Sequence, residues 1–178
     1  KTTLVNGLLY HFNKNLSDLN SVRPGIVHRL DKDTSGVIVI AKDNRTHQLL
    51  SDLFKKRKIV KTYEAIIWGS PLKNKGKIIN FIKRDLRNKT AFRVSDIEGK
   101  EAITKYELLN NYGPLSTVRL YPKTGRTHQL RVHMKSIGHA VFADEKYSGG
   151  SQKIKSFHTQ YSSTLKRCFK IARRHMLH

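Results

Sequence analysis

Residues 103–121 read ITKYELLNNYGPLSTVRLY. Two runs in it, 103–109 and 116–121, carry the β-branched, aromatic and leucine side chains of strands and are separated by a short polar turn. A connection that short favours antiparallel pairing, because parallel neighbours need a long crossover. Upstream, further strands are expected over 59–68, which Gly69 and Pro71 end, and over 77–82 and 92–94. Downstream, 127–137 reads as a helix, with Gly138 placed as its C-terminal stop. Towards the N-terminus, Leu4, Val5, Leu8, Leu9 and Phe12 recur at helical spacing over 2–12, and Pro24 and Gly25 then break the chain. Residues 26–30 look extended, 31–36 form a polar turn, and 36–41 is an apolar β-branched run typical of a buried strand. Leu49, Leu50, Leu53 and Phe54 restore helical period over 46–56. Beyond Gly149 and Gly150 no pattern places an element. Neighbouring strands interrupted by a few helices define an α+β fold: a mixed, mainly antiparallel sheet flanked by helices. The 178 residues suit one domain spanning 1–178.

Thirty-five lysines and arginines face thirteen acids, a net charge of +22. Eight basic residues and no acid follow Glu145. Such an excess points to a polyanionic partner bound in a salt-dependent way, nucleic acid ahead of a membrane surface, since no basic stretch shows a clean apolar face of helical period. The longest apolar runs are far too short to span a bilayer. A single cysteine, Cys168, excludes an internal disulfide and a cysteine-based metal site. The chain opens on Lys1 rather than Met, so the reading expects a missing N-terminus and leaves targeting open beyond an intracellular placement.

Two segments concentrate chemistry. In the first, His28-Arg29-Leu30-Asp31-Lys32-Asp33-Thr34-Ser35-Gly36, cationic groups on both sides of Asp31 favour a charged carboxylate that can serve as nucleophile or base. On local sequence alone the ordinary alternative, an Asx-turn made by Asp31 or Asp33, is favoured. The second runs from Lys123 to His133 and includes Arg126, Thr127, His128, Gln129 and Leu130. Thr124 or Thr127 can cap the helix there, and its N-terminus with Arg126 would favour an anion. The segment is not a Walker loop, and His128 and His133 stand five apart rather than the four of a helical zinc pair, so no metal is expected. A hydrogen-bonded structural role is the better reading of His133. Tyr63, on the 59–68 strand, is by itself better read as packing than as a base-stacking residue.

Taken in order, four segments resemble the RluA-type family of pseudouridine synthases. HRLDKDTSG at 28–36 resembles that family's catalytic loop, and KTYEAIIWG at 61–69 its tyrosine-bearing strand. GKEAITKYELL at 99–109 resembles a structural strand, and TGRTHQLRVHMKSIGHAVFADEKYSGG at 124–150 the arginine-bearing helix and following loop. RRHMLH at 173–178 is similar to the start of a closing Leu-His segment. Ala140 and Ala143 depart from the pattern, standing where the family often has Pro and Gly. The resemblance also implies truncation at both ends, with catalytic-domain strands and any S4-like RNA-binding domain lying before Lys1.

The resemblance implies an enzyme that isomerises uridines in structured RNA to pseudouridine, ribosomal RNA ranking ahead of transfer RNA, with no cofactor and as a monomer. It implies Asp31 as the catalytic carboxylate, Arg29 at the flipped-out site, and Tyr63 stacked on the target base. Arg126 would pair with the carboxylate, offsetting the cost of burying it. Leu130 would form the apolar wall, with His28 and His128 among the substrate contacts, all around one central basic cleft. A non-catalytic RNA-binding protein, an inactive synthase homologue, and a glycosidase or N-glycosylase are the alternatives; the last would usually show a second positioned carboxylate or a water-activating group, and none can be assigned.

Overall fold

The computed structural model describes residues 3–12, 15–149 and 159–176. The chain forms two compact units, Lys1–Ile59 and Val60–His178.

The first unit contains helices α1 (Leu4–Phe12) and α2 (Asn44–Lys55). Thr2, expected to open α1, lies outside the described residues. Helix α2 starts two residues earlier than its apolar period suggests, because the Asp43 carboxylate accepts hydrogen bonds from the Thr46 N–H and hydroxyl, each at 2.8 Å. Between the helices the expected buried strand over 36–41 is not formed. An isolated antiparallel bridge joins Ile26 to Ile40, while Val37 and Val39 are 83% and 42% exposed. β-Branched residues fit a strand only where a paired ladder and a covered face receive them. The base of this loop is instead closed through the main chain. Ser17 N–H donates to Ala41 C=O at 3.2 Å, Gly25 N–H to Ser17 C=O at 2.9 Å, and Ala41 N–H to Gly25 C=O at 2.8 Å.

The second unit is built on five strands: β1 (Tyr63–Trp68), β2 (Lys75–Arg84), β3 (Phe92–Ser95), β4 (Lys100–Asn111) and β5 (Leu115–Pro122). They form one sheet in the order β1-β5-β4-β2-β3, and every neighbouring pair is antiparallel. The quoted 103–121 stretch is its centre, where β4 and β5 pair with a bulge between Leu108 and Asn110. Along β5 every second residue, Ser116, Val118, Leu120 and Pro122, is buried, the period of a strand with one covered face.

Among the described residues the unit also has two helices, α3 (Gln129–Ser136) and α4 (Thr159–Met176). Met134 of α3 packs with Ile67, Ile78, Val118 and Leu120. Leu165 of α4 packs with Trp68, Ala140, Phe142 and Ala143. Each such side chain, taken fully out of water, contributes about 1.5–3 kcal/mol. Gly138 at φ +86° ends α3 as its sequence position implies. The α+β reading therefore describes the molecule.

Gly25 is the tightest point of the first unit. Its φ is +70°, and a Cβ there would sit 2.6 Å from the Ala41 carbonyl oxygen. Gly25→Ala is expected to weaken the loop closure by about 1–3 kcal/mol. Amide hydrogen exchange at Ala41 should accelerate while the sheet amides keep their protection; an unchanged rate at Ala41 would contradict this account of the closure.

Candidate active site

The segment between β5 and α3 is organised by one buried side chain. The Gln129 carboxamide donates to Ile103 C=O at 3.1 Å and to the Thr104 hydroxyl at 3.0 Å. Its oxygen accepts from the Thr124 hydroxyl at 2.7 Å and from Arg126 N–H at 2.9 Å. All four of its hydrogen-bonding positions are used. Thr124 is itself held by β4, its oxygen accepting from Ile103 N–H at 2.9 Å. The expected threonine cap is thus corrected: His128 is the N-cap residue of α3, in the left-handed region at φ +54°, with no side-chain cap bond. Thr124 is committed to β4 and Gln129, so it is not available to the helix end.

The same network continues inward. Thr104 accepts from Gln129 and lies 2.8 Å from His133 Nδ1, while His133 Nε2 lies 3.0 Å from the acceptor oxygen of Asn80. Asn80 Oδ1 can only accept, so Nε2 carries the proton and Nδ1 receives the Thr104 hydroxyl. His133 is fully buried, and desolvation pushes its pKa down to about 4. The structural reading of His133 describes its surroundings.

Arg126 emerges from this frame with its backbone held by Gln129 and its Nε donating to Glu101 C=O at 2.9 Å. That bond orients the guanidinium plane using one of its five donors. Leu130, on the first turn of α3, and Tyr63, at the start of β1, both pack against the cluster of Ile67, Ile78, Val118, Leu120 and Met134. The fold therefore gathers Arg126, Leu130 and Tyr63 within one unit. Lys61 joins them, its ammonium 3.5 Å from where a Cβ of Gly125 would stand. Sequence reading passed over Lys61.

His128 is half-buried, and its Nδ1 lies 2.7 Å from the Tyr147 hydroxyl, which also accepts from Phe92 N–H at 2.9 Å. The Arg131 guanidinium stacks 4.9 Å from the Tyr147 ring centroid. It also makes a bidentate pair with the buried Asp144 carboxylate, at 2.7 and 2.9 Å. Asp144 is a missed structural carboxylate. The loop keeps the backbone shape that glycine would supply, since Ala143 adopts φ +60°.

In the first unit, the carbonyl of Asp31 accepts from Thr34 N–H at 3.0 Å, so the main chain closes a turn there. His28 Nε2 accepts from Val39 N–H at 2.9 Å, and its ring stacks on Phe54 with centroids 4.7 Å apart. His28 thereby braces the two sides of the loop that carries Asp31. Asp31 is half-buried and Arg29 exposed.

Residues 7–136 match the family described as RNA pseudouridylate synthase. The chain belongs to that family. It is 49% identical over 157 residues to the ribosomal large subunit pseudouridine synthase D of Borreliella burgdorferi, covering 85% of this chain and 48% of that protein. An uncharacterized RNA pseudouridine synthase of Aquifex aeolicus is 47% identical over 155 residues, covering 85% and 48%. The chain thus spans about half the length of these curated relatives. The solved structure of human RNA pseudouridylate synthase domain containing 1 aligns with a TM-score of 0.70 at 30% identity, covering 82% of this chain and 60% of that one. Among the described residues, no helix is long and apolar enough to cross a membrane, and no group of three or more histidine, cysteine or carboxylate side chains could hold a metal ion.

The buried His133 makes the second unit sensitive to acid. Its proton is bound more readily unfolded, near the ordinary 6.5, than folded, near 4. Its contribution is therefore present above pH 6.5 and is lost as pH falls towards 4. Thermal midpoints of the wild type should drop more steeply over that window than those of His133→Gln. Parallel profiles would contradict the neutral, desolvated imidazole.

Proposed function

We propose that this chain supplies the catalytic region of an RNA pseudouridine synthase, acting inside the cell on structured RNA. Large-subunit ribosomal RNA ranks first, because that is the substrate named for the Borreliella relative. The observation that carries the reading is the extent of the family match, 7–136, which contains Asp31, Tyr63 and Arg126 together.

In the reaction, the N1–C1′ glycosidic bond of uridine breaks, the uracil turns, and C5 bonds to C1′. The C5 proton is lost, and N1 finishes protonated. Asp31 is the carboxylate for this step, serving at C1′, at C2′ or at base C6; each route needs one anionic oxygen and no cofactor. The brace of His28 on Val39 supports a defined position for Asp31. Arg126 is the cation assigned to that carboxylate by the family resemblance, and Gln129 holds its backbone. Tyr63 stacks on the flipped base against an apolar wall that includes Leu130, which offsets part of the unstacking cost. Arg29 and His128 contact the RNA around the pocket.

The test uses the full-length protein. Asp31→Asn keeps volume and most hydrogen bonding but removes the charge. Pseudouridine formation on cellular RNA should vanish, with RNA affinity unchanged or slightly raised. Equal yields from wild type and variant at equal RNA occupancy would refute the role of Asp31. Absence of product from both would favour a non-catalytic RNA-binding protein or an inactive homologue.

Tyr63 gives an independent check. Tyr63→Phe should keep RNA binding at reduced or equal turnover, whereas Tyr63→Ala should lose both pocket shape and activity. A fully active Tyr63→Ala would return this residue to ordinary packing.

A further inference from the structure

Helix α4 carries a feature that the pocket does not use. Over Thr159–Met176 its sequence is TQYSSTLKRCFKIARRHM, 18 residues with five lysines and arginines and no acid. Leu165 is buried against Trp68, Ala140, Phe142 and Ala143, and Cys168, one turn on, is half-buried against the same cluster. Lys166, Arg167 and Lys170 are exposed. At 100° per residue these three lie on the side of the helix away from the seam of Leu165 and Cys168. The sequence continues the same spacing with Arg173 and Arg174, seven and eight positions after Lys166. The expectation that no basic stretch has an apolar face of helical period is thereby corrected. The alternation was missed because Leu165 and Cys168 are separated by two basic residues, and no capping pattern marked where the helix starts.

This arrangement costs the helix something on its own. Lys166 and Lys170 stand four apart, and Arg167 and Lys170 three apart, like-charge pairs that destabilise a helix by a few tenths of a kcal/mol each. No acid within the helix offsets them. A bound polyanion would. Lys166 to Lys170 spans about 6 Å along the axis, enough to meet neighbouring backbone phosphates.

We propose that the basic face of α4 is a docking surface for the phosphate backbone of the substrate RNA, outside the pocket that holds the target uridine. The occupant is RNA rather than an anionic membrane because a surface-lying helix must give its apolar face to the lipid. In α4 the Leu165 side of the helix is already spent on the protein core. Leu165 shares that core with Ala140, Phe142 and Ala143, in the loop that follows α3, so RNA held by α4 is held by the body that presents Arg126. The proposal rests on the RNA-modifying reading above.

The test is the triple variant Lys166→Gln, Arg167→Gln, Lys170→Gln in the full-length protein, with an RNA fragment that the wild type modifies or, if it modifies none, a ribosomal RNA duplex with a loop. The changes lie on exposed positions, and an unchanged thermal midpoint confirms folding. The slope of log affinity against log salt should fall by about three, one per phosphate contact removed, and affinity at low salt should drop roughly tenfold or more. Turnover at saturating RNA should be unchanged, with the loss confined to KM. An unchanged salt slope overturns the proposal. Binding of wild type to phosphatidylserine vesicles that the triple variant loses, with RNA binding intact, also overturns it in favour of a membrane. Because binding is read separately from product, a wild type that forms no pseudouridine yet loses salt slope on mutation leaves the surface standing and removes only the enzymatic reading.

Discussion

Four hydrogen bonds made by the Gln129 carboxamide, two donated and two accepted, join β4 to the segment that leads into α3. The site is buried, and a carboxamide left without these partners there would cost about 1–3 kcal/mol for each group stranded. The network is therefore all or nothing. Ile103, Thr104, Thr124 and Arg126 are placed together, and His133 and Asn80 extend the same chain of donors and acceptors across to β2. Low local dielectric strengthens such a network when it is complete and penalises it heavily when it is not.

The chemical consequence falls on Arg126. A flexible arginine on a loop loses side-chain freedom when it meets a ligand, and that loss weakens binding. Here the main chain is fixed by Gln129 and the guanidinium by the Glu101 carbonyl. The loop of the first unit is prepared in the same manner by different means: His28 braces it across to Val39, and the Ser17, Gly25 and Ala41 main chain closes its base. Neither device involves an ion pair exposed to salt. In a chain of net charge +22, scaffolding of this kind is not disturbed by counterions.

The sheet was legible because its strands are long relative to their turns: the 103–121 stretch announces β4 and β5 by composition, and their pairing follows from the short connection. The strand over 36–41 misled, since Val37 and Val39 have the right shape for a sheet but no ladder receives them among the described residues. Asp31, Tyr63 and Arg126 were joined into one site only through the resemblance of whole segments. Locally, an Asx-turn was the better reading of Asp31 and packing of Tyr63, while Arg126 pointed to an anion. Gln129 and Thr104 were invisible for another reason, that a buried polar network is defined by which side chains meet, and 25 positions separate these two. One signal was present. Thr104 shares the inward face of β4 with Ala102, and a polar residue on an inward face demands a partner.

The most direct measurement is amide hydrogen exchange in full-length wild type and Gln129→Leu. Leucine keeps the volume but leaves Arg126 N–H without its acceptor and Thr124 without the partner of its hydroxyl. Protection at Arg126 and Ile103 should fall by roughly tenfold or more, in line with the loss of a buried bond, while the β1 and β5 amides are unaffected. Equal protection at Arg126 in the two proteins would show that the entry to α3 is held by something other than this carboxamide.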